Sequence, residues 1–482
     1  MCLSRAVFWS YFGQFGSVLI LFTLSIVIAR ILTPFQVGIY AVGAAIAAIL
    51  TAISTIGLIS YVIRDNDDKP NFATAFTLNI IGSLLLAAGL MLAGIVGPQW
   101  GMAGSLGWVL CVLALRPIIS ILEFLPAAKL QRNMEFKILG LATLMSSLVN
   151  LVVTTILALD GYGAVSIAIG IIVGAAAQVG IYVFFVPRYF SLRFSLSGWQ
   201  SIARFGLEVI TISGLSTITK RTCELIIGAF IGTTALGIFT RATNIADTLF
   251  NGIYGAGTRV IFANLCREKR DKHTIARPFL NSFELLIAIF WPFVCGIAVL
   301  SKPIILLLYG EIWLPAAPVL AILMIGQVMA LTFALNWELF VISEKTAVQV
   351  RYEMIRSILS LIAFAGGSYF GLVGAASGRF VDAVAGMLLY IPAYQLMVPV
   401  SKHILFGIYF RCAIATAAAV SPAFIIMSLF SWNAATSWIY LGPSIILGII
   451  IWALAHYLMG SVLKRLLLDS INLRSKGRLK HD

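Results

Sequence analysis

Apolar runs of about 20 residues follow one another along the whole chain, separated by short polar breaks, and each is long enough to cross a bilayer as a helix. This pattern predicts spans near residues 10–32, 37–62, 73–97, 105–128, 137–158 and 163–186. A second series is predicted near 203–231, 234–262, 277–300, 316–341, 351–369, 372–397, 407–430 and 437–463. The expectation is an all-α membrane protein of about fourteen transmembrane helices. The N-terminal stretch lacks a signal-peptide cleavage pattern, so the first apolar run is expected to stay as a helix.

The polar breaks are not alike. Counting from the first span, the even breaks at 64–69, 129–137, 188–204, 267–277, 345–356 and 402–411, and the tail from Lys464, all carry Lys or Arg. Of the odd breaks, only the one holding Lys302 is basic; those at 33–36, 98–104, 160–162, 232–234 and 431–437 have no Lys or Arg. Basic loops stay in the cytoplasm, so both termini are expected inside and the protein is expected to be multi-pass in a cytoplasmic membrane.

Composition agrees. Over 482 residues the mean hydropathy is +1.00, with 60% hydrophobic and only 11% charged residues. A soluble fold has about 25% charged residues and could not hide so much apolar surface. The net charge of +14 lies in short loops and the tail, so it fits topology and anionic headgroups, and no nucleic-acid partner is expected. Cys2, Cys111, Cys223, Cys266, Cys295 and Cys412 stand far apart with no CxxC, and there are four histidines, so neither a disulfide framework nor a metal site is expected.

The chain repeats itself. Gly38-Ile39-Tyr40, Ile46-Ala47 and Leu50 recur as Gly237-Ile238-Phe239, Ile245-Ala246 and Leu249, an offset of 199 (237 minus 38). Gly163, Val165, Ala168 and Gly170 recur as Gly371, Val373, Ala376 and Gly378, an offset of 208 (371 minus 163). Six spans separate equivalent helices, an even number, so the halves share one orientation and are related by a pseudo-twofold axis along the membrane normal, with a cavity expected at their interface. The expected organisation is one six-helix lobe over 1–200, a parallel six-helix lobe over 201–400, two additional helices over 401–463 and a basic cytoplasmic tail over 464–482.

Charges inside the spans are the candidate chemistry. At 1.5 Å per residue from the predicted outer ends, Arg116 and Lys220 lie about 16 Å deep, and Arg241 and Arg379 about 10 Å. A cation near the bilayer centre costs on the order of 3 kcal/mol or more, so it faces a partner or water. Ser213, Thr217, Lys220 and Glu224 form one polar stripe at helical spacing, and Arg241, Asn244, Thr248 and Asn251 form another. Internal ion pairs are the competing reading: Lys220 with Glu224, Arg379 with Asp382, and Arg116 with Glu123. Arg30, at the outer end of the first helix, also has a simple reading as a snorkelling side chain. Glu224, Asp247 and Glu123 are the acidic groups that proton or Na⁺ coupling would use; no other cofactor is expected. Pro117, Pro126 and Pro292 are expected to kink their helices, and Trp9, Trp100, Trp108, Trp313, Trp432 and Trp438 to anchor span ends at the interfaces.

Three stretches carry a resemblance: Ala29-Arg30-Ile31-Leu32 through Gly38-Ile39-Tyr40, the elbow Lys129-Leu130-Gln131-Arg132-Asn133-Met134-Glu135-Phe136, and Tyr309-Gly310-Glu311-Ile312-Trp313 leading to Pro318-Val319-Leu320. In their order and spacing they resemble the Wzx-type polysaccharide flippases, in the superfamily that also holds the multidrug exporters and the lipid II flippases. That resemblance implies a flippase of undecaprenyl-diphosphate-linked oligosaccharide working by alternating access, with polymerase and chain-length or export proteins as partners. An anionic diphosphate cargo would favour Lys220, Arg241, Asn244, Arg116, Arg379 and Arg30 as binding residues. A drug or metabolite antiporter on the same fold is the first alternative, though its commonly cationic cargo suits an acidic path better. A membrane polymerase or ligase is the second, but the longest outer break, 301–315, holds one Lys, one Glu and no His, and so no nucleophile and base.

Overall fold

The computed structural model describes residues 2–54, 58, 72–97, 104–190, 193–200, 202, 214–270, 275–398, 401–429 and 437–460. The predicted basic loop at 64–69, most of the break at 98–104, the break at 431–436, Ser213, the Asn251 side chain and the tail from residue 464 lie outside that description. The described residues form seventeen α-helices, joined by turns and short 3₁₀ segments. Eleven helical segments are long and apolar enough to cross a membrane, and each answers to one predicted span. The spans predicted at 203–231, 234–262 and 351–369 answer to α-helices over Leu215–Phe230, Thr233–Arg270 and Thr346–Ser368, each of which carries several charges.

The chain divides into two compact units at Arg241 and Ala242. The first contains α1 (Cys2–Ile31), α2 (Pro34–Ser54), α3 (Phe72–Val96), α4 (Gly104–Leu113), α5 (Leu115–Arg132), α6 (Phe136–Leu159), α7 (Ala164–Phe185), α8 (Leu215–Phe230) and the start of α9 (Thr233–Arg270). Its core is built where α2, α3 and α4 meet, around Ile39, Leu86, Leu90, Val109 and Leu110. In a membrane, helices approach closely where their side chains are small. So α1 crosses α6 at Gly13 and Gly140, where a Cβ on either glycine would run into the other helix's backbone. α8 packs on α2, which places it in the first unit although the sequence puts it at the start of a second lobe.

The first repeated motif meets itself inside this unit. A Cβ on Gly38 would strike the carbonyl of Thr233, and one on Gly237 would strike the carbonyl of Pro34. The contact is reciprocal across the same offset of 199 (233 minus 34), so the two copies of the motif touch as equivalents touch about a twofold.

The second unit continues α9 and adds α10 (Ala276–Val299), α11 (Ser301–Leu308), α12 (Ala316–Ala330), α13 (Asn336–Ile342), α14 (Thr346–Ser368), α15 (Gly371–Met397), α16 (Lys402–Leu429) and α17 (Ser437–Leu458). α14 pairs with α15, α12 packs on α15, α10 packs on α12 and α16, and α16 pairs with α17. The second repeat is a helix-hairpin device. Gly163 and Gly371 turn the chain at positive φ (57° and 78°) before α7 and at the start of α15. Seven residues on, Gly170 lies against Thr154 and Asn150 of α6, and Gly378 lies against Phe364 and Ala363 of α14.

Two boundaries differ from the sequence expectation. The breaks predicted at 345–356 and 402–411 are helical from Thr346 and Lys402, so Glu353, Arg356 and Arg411 stand inside helices, each holding an ion-pair partner. Trp313, expected at an interface, is fully buried in the second unit beside the Tyr309 ring.

Candidate functional site

Pro117 decides where the first candidate sits. It has no N–H to donate to the Leu113 carbonyl, and the helix breaks at Ala114 between α4 and α5. Arg116 follows that break. Its guanidinium donates to Glu123 Oε2 at 3.0 Å, two turns on, so the ion pair weighed from the sequence is the one formed. The arginine side chain is 38% exposed and the glutamate 13%. Both line a cavity of about 340 Å³ inside the first unit, with Asn79 from α3, Ser120 from α5 and Gln178 from α7. Asn79 is buried at 4% exposure, and its Nδ2 has no hydrogen-bond partner. Glu123 Oε1 is likewise without one.

On α8 the sequence stripe splits. Lys220 and Thr217 are exposed, while Glu224 is buried and accepts from Arg221 at 2.8 Å. The ion pair on this helix therefore joins Glu224 to Arg221, which is not part of that stripe, and not to Lys220. Spacings of three and four both lie on one helix face, and the shorter one carries the pair here. Arg241, near the start of α9, is buried and donates through one terminal nitrogen to Ser25 Oγ of α1 at 2.7 Å and to the Ser25 carbonyl at 3.2 Å. Asn244 and Asp247 are half-buried further along α9, in the second unit, and Arg30 is exposed near the end of α1.

In the second unit, charges gather between α14 and α15. Asp382 is buried and receives Arg356 at 2.9 Å and Arg379 at 3.4 Å. Arg356 also donates to Glu353 at 3.1 Å, and the Tyr390 hydroxyl donates to the same Glu353 oxygen at 2.9 Å. Arg379 thus has the partner anticipated for it, but within a larger network. Arg411 of α16 reaches Glu284 of α10 at 3.3 Å. Arg356, Glu353, Arg411 and Glu284 were missed because three of them fell in predicted loops; the i,i+3 spacing of Glu353 and Arg356 was the available signal. Asn79 and Gln178 were missed as single amides in apolar runs. Among the described residues no cluster of three His, Cys, Asp or Glu fit to hold a metal is present.

This arrangement is that of a polytopic helical bundle. Lipid II flippase MurJ in an inward closed conformation superposes with a TM-score of 0.72 at 14% identity, over 96% of this chain and 100% of that one. An inward-facing multidrug resistance MATE family transporter of the MOP superfamily superposes with a TM-score of 0.64 at 16% identity, over 80% of this chain and 96% of that one. Those likenesses define the fold. The sequence profile of the family described as polysaccharide biosynthesis protein matches residues 27–318, and the chain belongs to that family. It is 24% identical over 333 residues to the succinoglycan biosynthesis transport protein ExoT of Rhizobium meliloti (strain 1021), across 67% of this chain and 66% of that protein.

Proposed function

We propose that the protein is a transporter and not an enzyme: a flippase that moves undecaprenyl-diphosphate-linked oligosaccharide repeat units across the bacterial cytoplasmic membrane by alternating access, for exopolysaccharide or lipopolysaccharide synthesis. The observation that carries this reading is basic side chains at membrane depth within a fold shared along nearly the whole chain with a lipid II flippase. Lys220 is exposed on α8, and a cation at the depth predicted for it is sustained by water and anionic partners, to which an anionic cargo would add. A diphosphate is the anion such a cargo would bring, and an ammonium or a guanidinium fork is its natural counter-charge. In this reading Lys220 meets the diphosphate first, Arg30, Arg241 and Arg379 supply further positive charge, and Asn244 adds an uncharged amide. Glu224, Asp247 or Glu123 would take up a proton or Na⁺ if transport is ion-coupled, and a polymerase with its chain-length and export proteins would receive the product. The family of ExoT, named for succinoglycan transport, supports a glycan cargo.

Complementation of a flippase-deficient strain tests this, with lipid-linked intermediates and membrane abundance measured together. Lys220→Ala should accumulate normally yet restore less polysaccharide. Arg241→Lys keeps the charge but loses the fork and should retain partial activity, whereas Arg241→Glu should have none. Should Lys220→Ala and Arg241→Glu both accumulate normally and restore export, the basic-path mechanism is wrong. The fold shared with a multidrug exporter favours an antiporter as the second reading. It would be supported by increased resistance to cationic dyes on expression, without any change in lipid-linked intermediates.

A further inference from the structure

The cavity of about 340 Å³ inside the first unit has a composition that a diphosphate site would not have. Its one cation among the described residues, Arg116, is already neutralised by Glu123 at 3.0 Å, so an anion entering would meet a carboxylate as well as a guanidinium. What the cavity offers instead is hydrogen bonding without net charge. The buried Asn79 presents an amide donor with no acceptor, and Glu123 presents an acceptor, Oε1, with no donor. A buried polar group left this way keeps its full desolvation cost, so a ligand or water that supplies both partners is expected there. A sugar hydroxyl donates and accepts at once, and planar amide, carboxylate and guanidinium groups span vicinal hydroxyls. Leu86, Leu90 and Phe124 give the same cavity an apolar wall, which fits the C–H face of a pyranose ring.

We propose that this cavity holds one neutral sugar ring of the carried oligosaccharide, bound by Asn79, Glu123, Arg116 and Gln178. The proposal rests on the flippase reading and deepens it, separating recognition of the glycan from recognition of the diphosphate. It also moves Arg116 from the phosphate to the sugar, because its partner is fixed in place.

The probes are two lipids: undecaprenyl diphosphate, and the lipid-linked glycan extracted from cells in which this gene is inactivated. Binding of each to the purified full-length protein in nanodiscs is compared, with melting temperature recorded for every variant. The wild type should prefer the glycan-bearing lipid by at least roughly tenfold. Asn79→Leu and Glu123→Gln should each cut that preference roughly tenfold, the effect of one lost hydrogen bond with its partner left unpaired. Ala127→Phe fills the cavity while leaving the Arg116–Glu123 pair whole, and should remove the preference altogether. In Asn79→Leu and Ala127→Phe the affinity for undecaprenyl diphosphate should hold; Glu123→Gln leaves the Arg116 charge uncompensated and is read on the preference alone. A preference unmoved by every variant would mean the cavity holds water only, and equal losses for both lipids would mean a packing role; either result overturns the sugar subsite. If the inactivated cells accumulate no lipid-linked glycan, the transport reading itself fails and the subsite falls with it.

Discussion

At the scale of single residues, the membrane makes partners more telling than positions. Asp382 is the clearest case, since its two oxygens serve Arg356 at 2.9 Å and Arg379 at 3.4 Å while the carboxylate itself is buried. Removing one side of a buried pair leaves an uncompensated charge, which costs about 3 to 5 kcal/mol. Asp382→Asn should therefore lower the detergent melting temperature and the membrane abundance sharply. Arg379→Ala should do far less, within about 1 kcal/mol, because that side chain is 43% exposed and Arg356 still neutralises the aspartate. Equal melting temperatures for the two variants would show that the network is not structural. The positions of Arg116, Lys220, Arg241 and Arg379 were legible in the sequence because charges within apolar runs are rare. Their partners were only partly legible. Arg116 with Glu123 and Arg379 with Asp382 follow from helical spacing, but nothing in spacing chooses Arg221 over Lys220 for Glu224, or sends Arg241 to Ser25 on a helix 216 positions away in sequence.

At the scale of helices, hydropathy read most of the architecture and misread the ends of its charged members. Apolar windows end where charge begins, so α14 was expected to start near residue 351 and not at Thr346. The charges in its first turns are tolerated because Glu353, Arg356, Asp382 and Tyr390 satisfy one another. Glycine motifs were legible as a repeat, but their purpose was not. In the structure, Gly38 and Gly237 allow α2 and α9 to touch backbone to backbone. Valine at either position would force the two helices apart, with a loss of about 1 to 3 kcal/mol or more and impaired export. Gly89 is the internal control. It is exposed on α3 with nothing near its missing Cβ, so Gly89→Ala should be neutral or stabilise by about 0.5–1 kcal/mol through lower backbone entropy in the unfolded chain. A melting temperature for Gly38→Val equal to that of Gly89→Ala would remove the close contact from the account.

For the whole molecule, orientation follows from charge that the fold itself does not fix. A bundle of apolar helices is equally stable in lipid either way up, and what distinguishes its ends is the Lys and Arg held back from translocation. The native cysteines give a direct test. Cys266 is exposed near the end of α9, immediately before the predicted inner break at 267–277, whereas Cys223 and Cys412 are buried and Cys111 and Cys295 are partly buried. An impermeant maleimide added to intact cells should leave Cys266 unlabelled, and opening the membrane should expose it. Tyr162 lies 56% exposed in the turn between α6 and α7, which has no Lys or Arg, in the predicted outer break. Tyr162→Cys, in a background where Cys266 is Ser, should therefore label in intact cells. Labelling of Cys266 from outside together with protection of position 162 would invert the topology. Lys220 and Arg116 would keep their depth, since helix geometry does not depend on which way the bundle points. Cargo loading would then have to begin at the opposite ends of the helices, which no donor of a lipid-linked precursor made in the cytoplasm could reach.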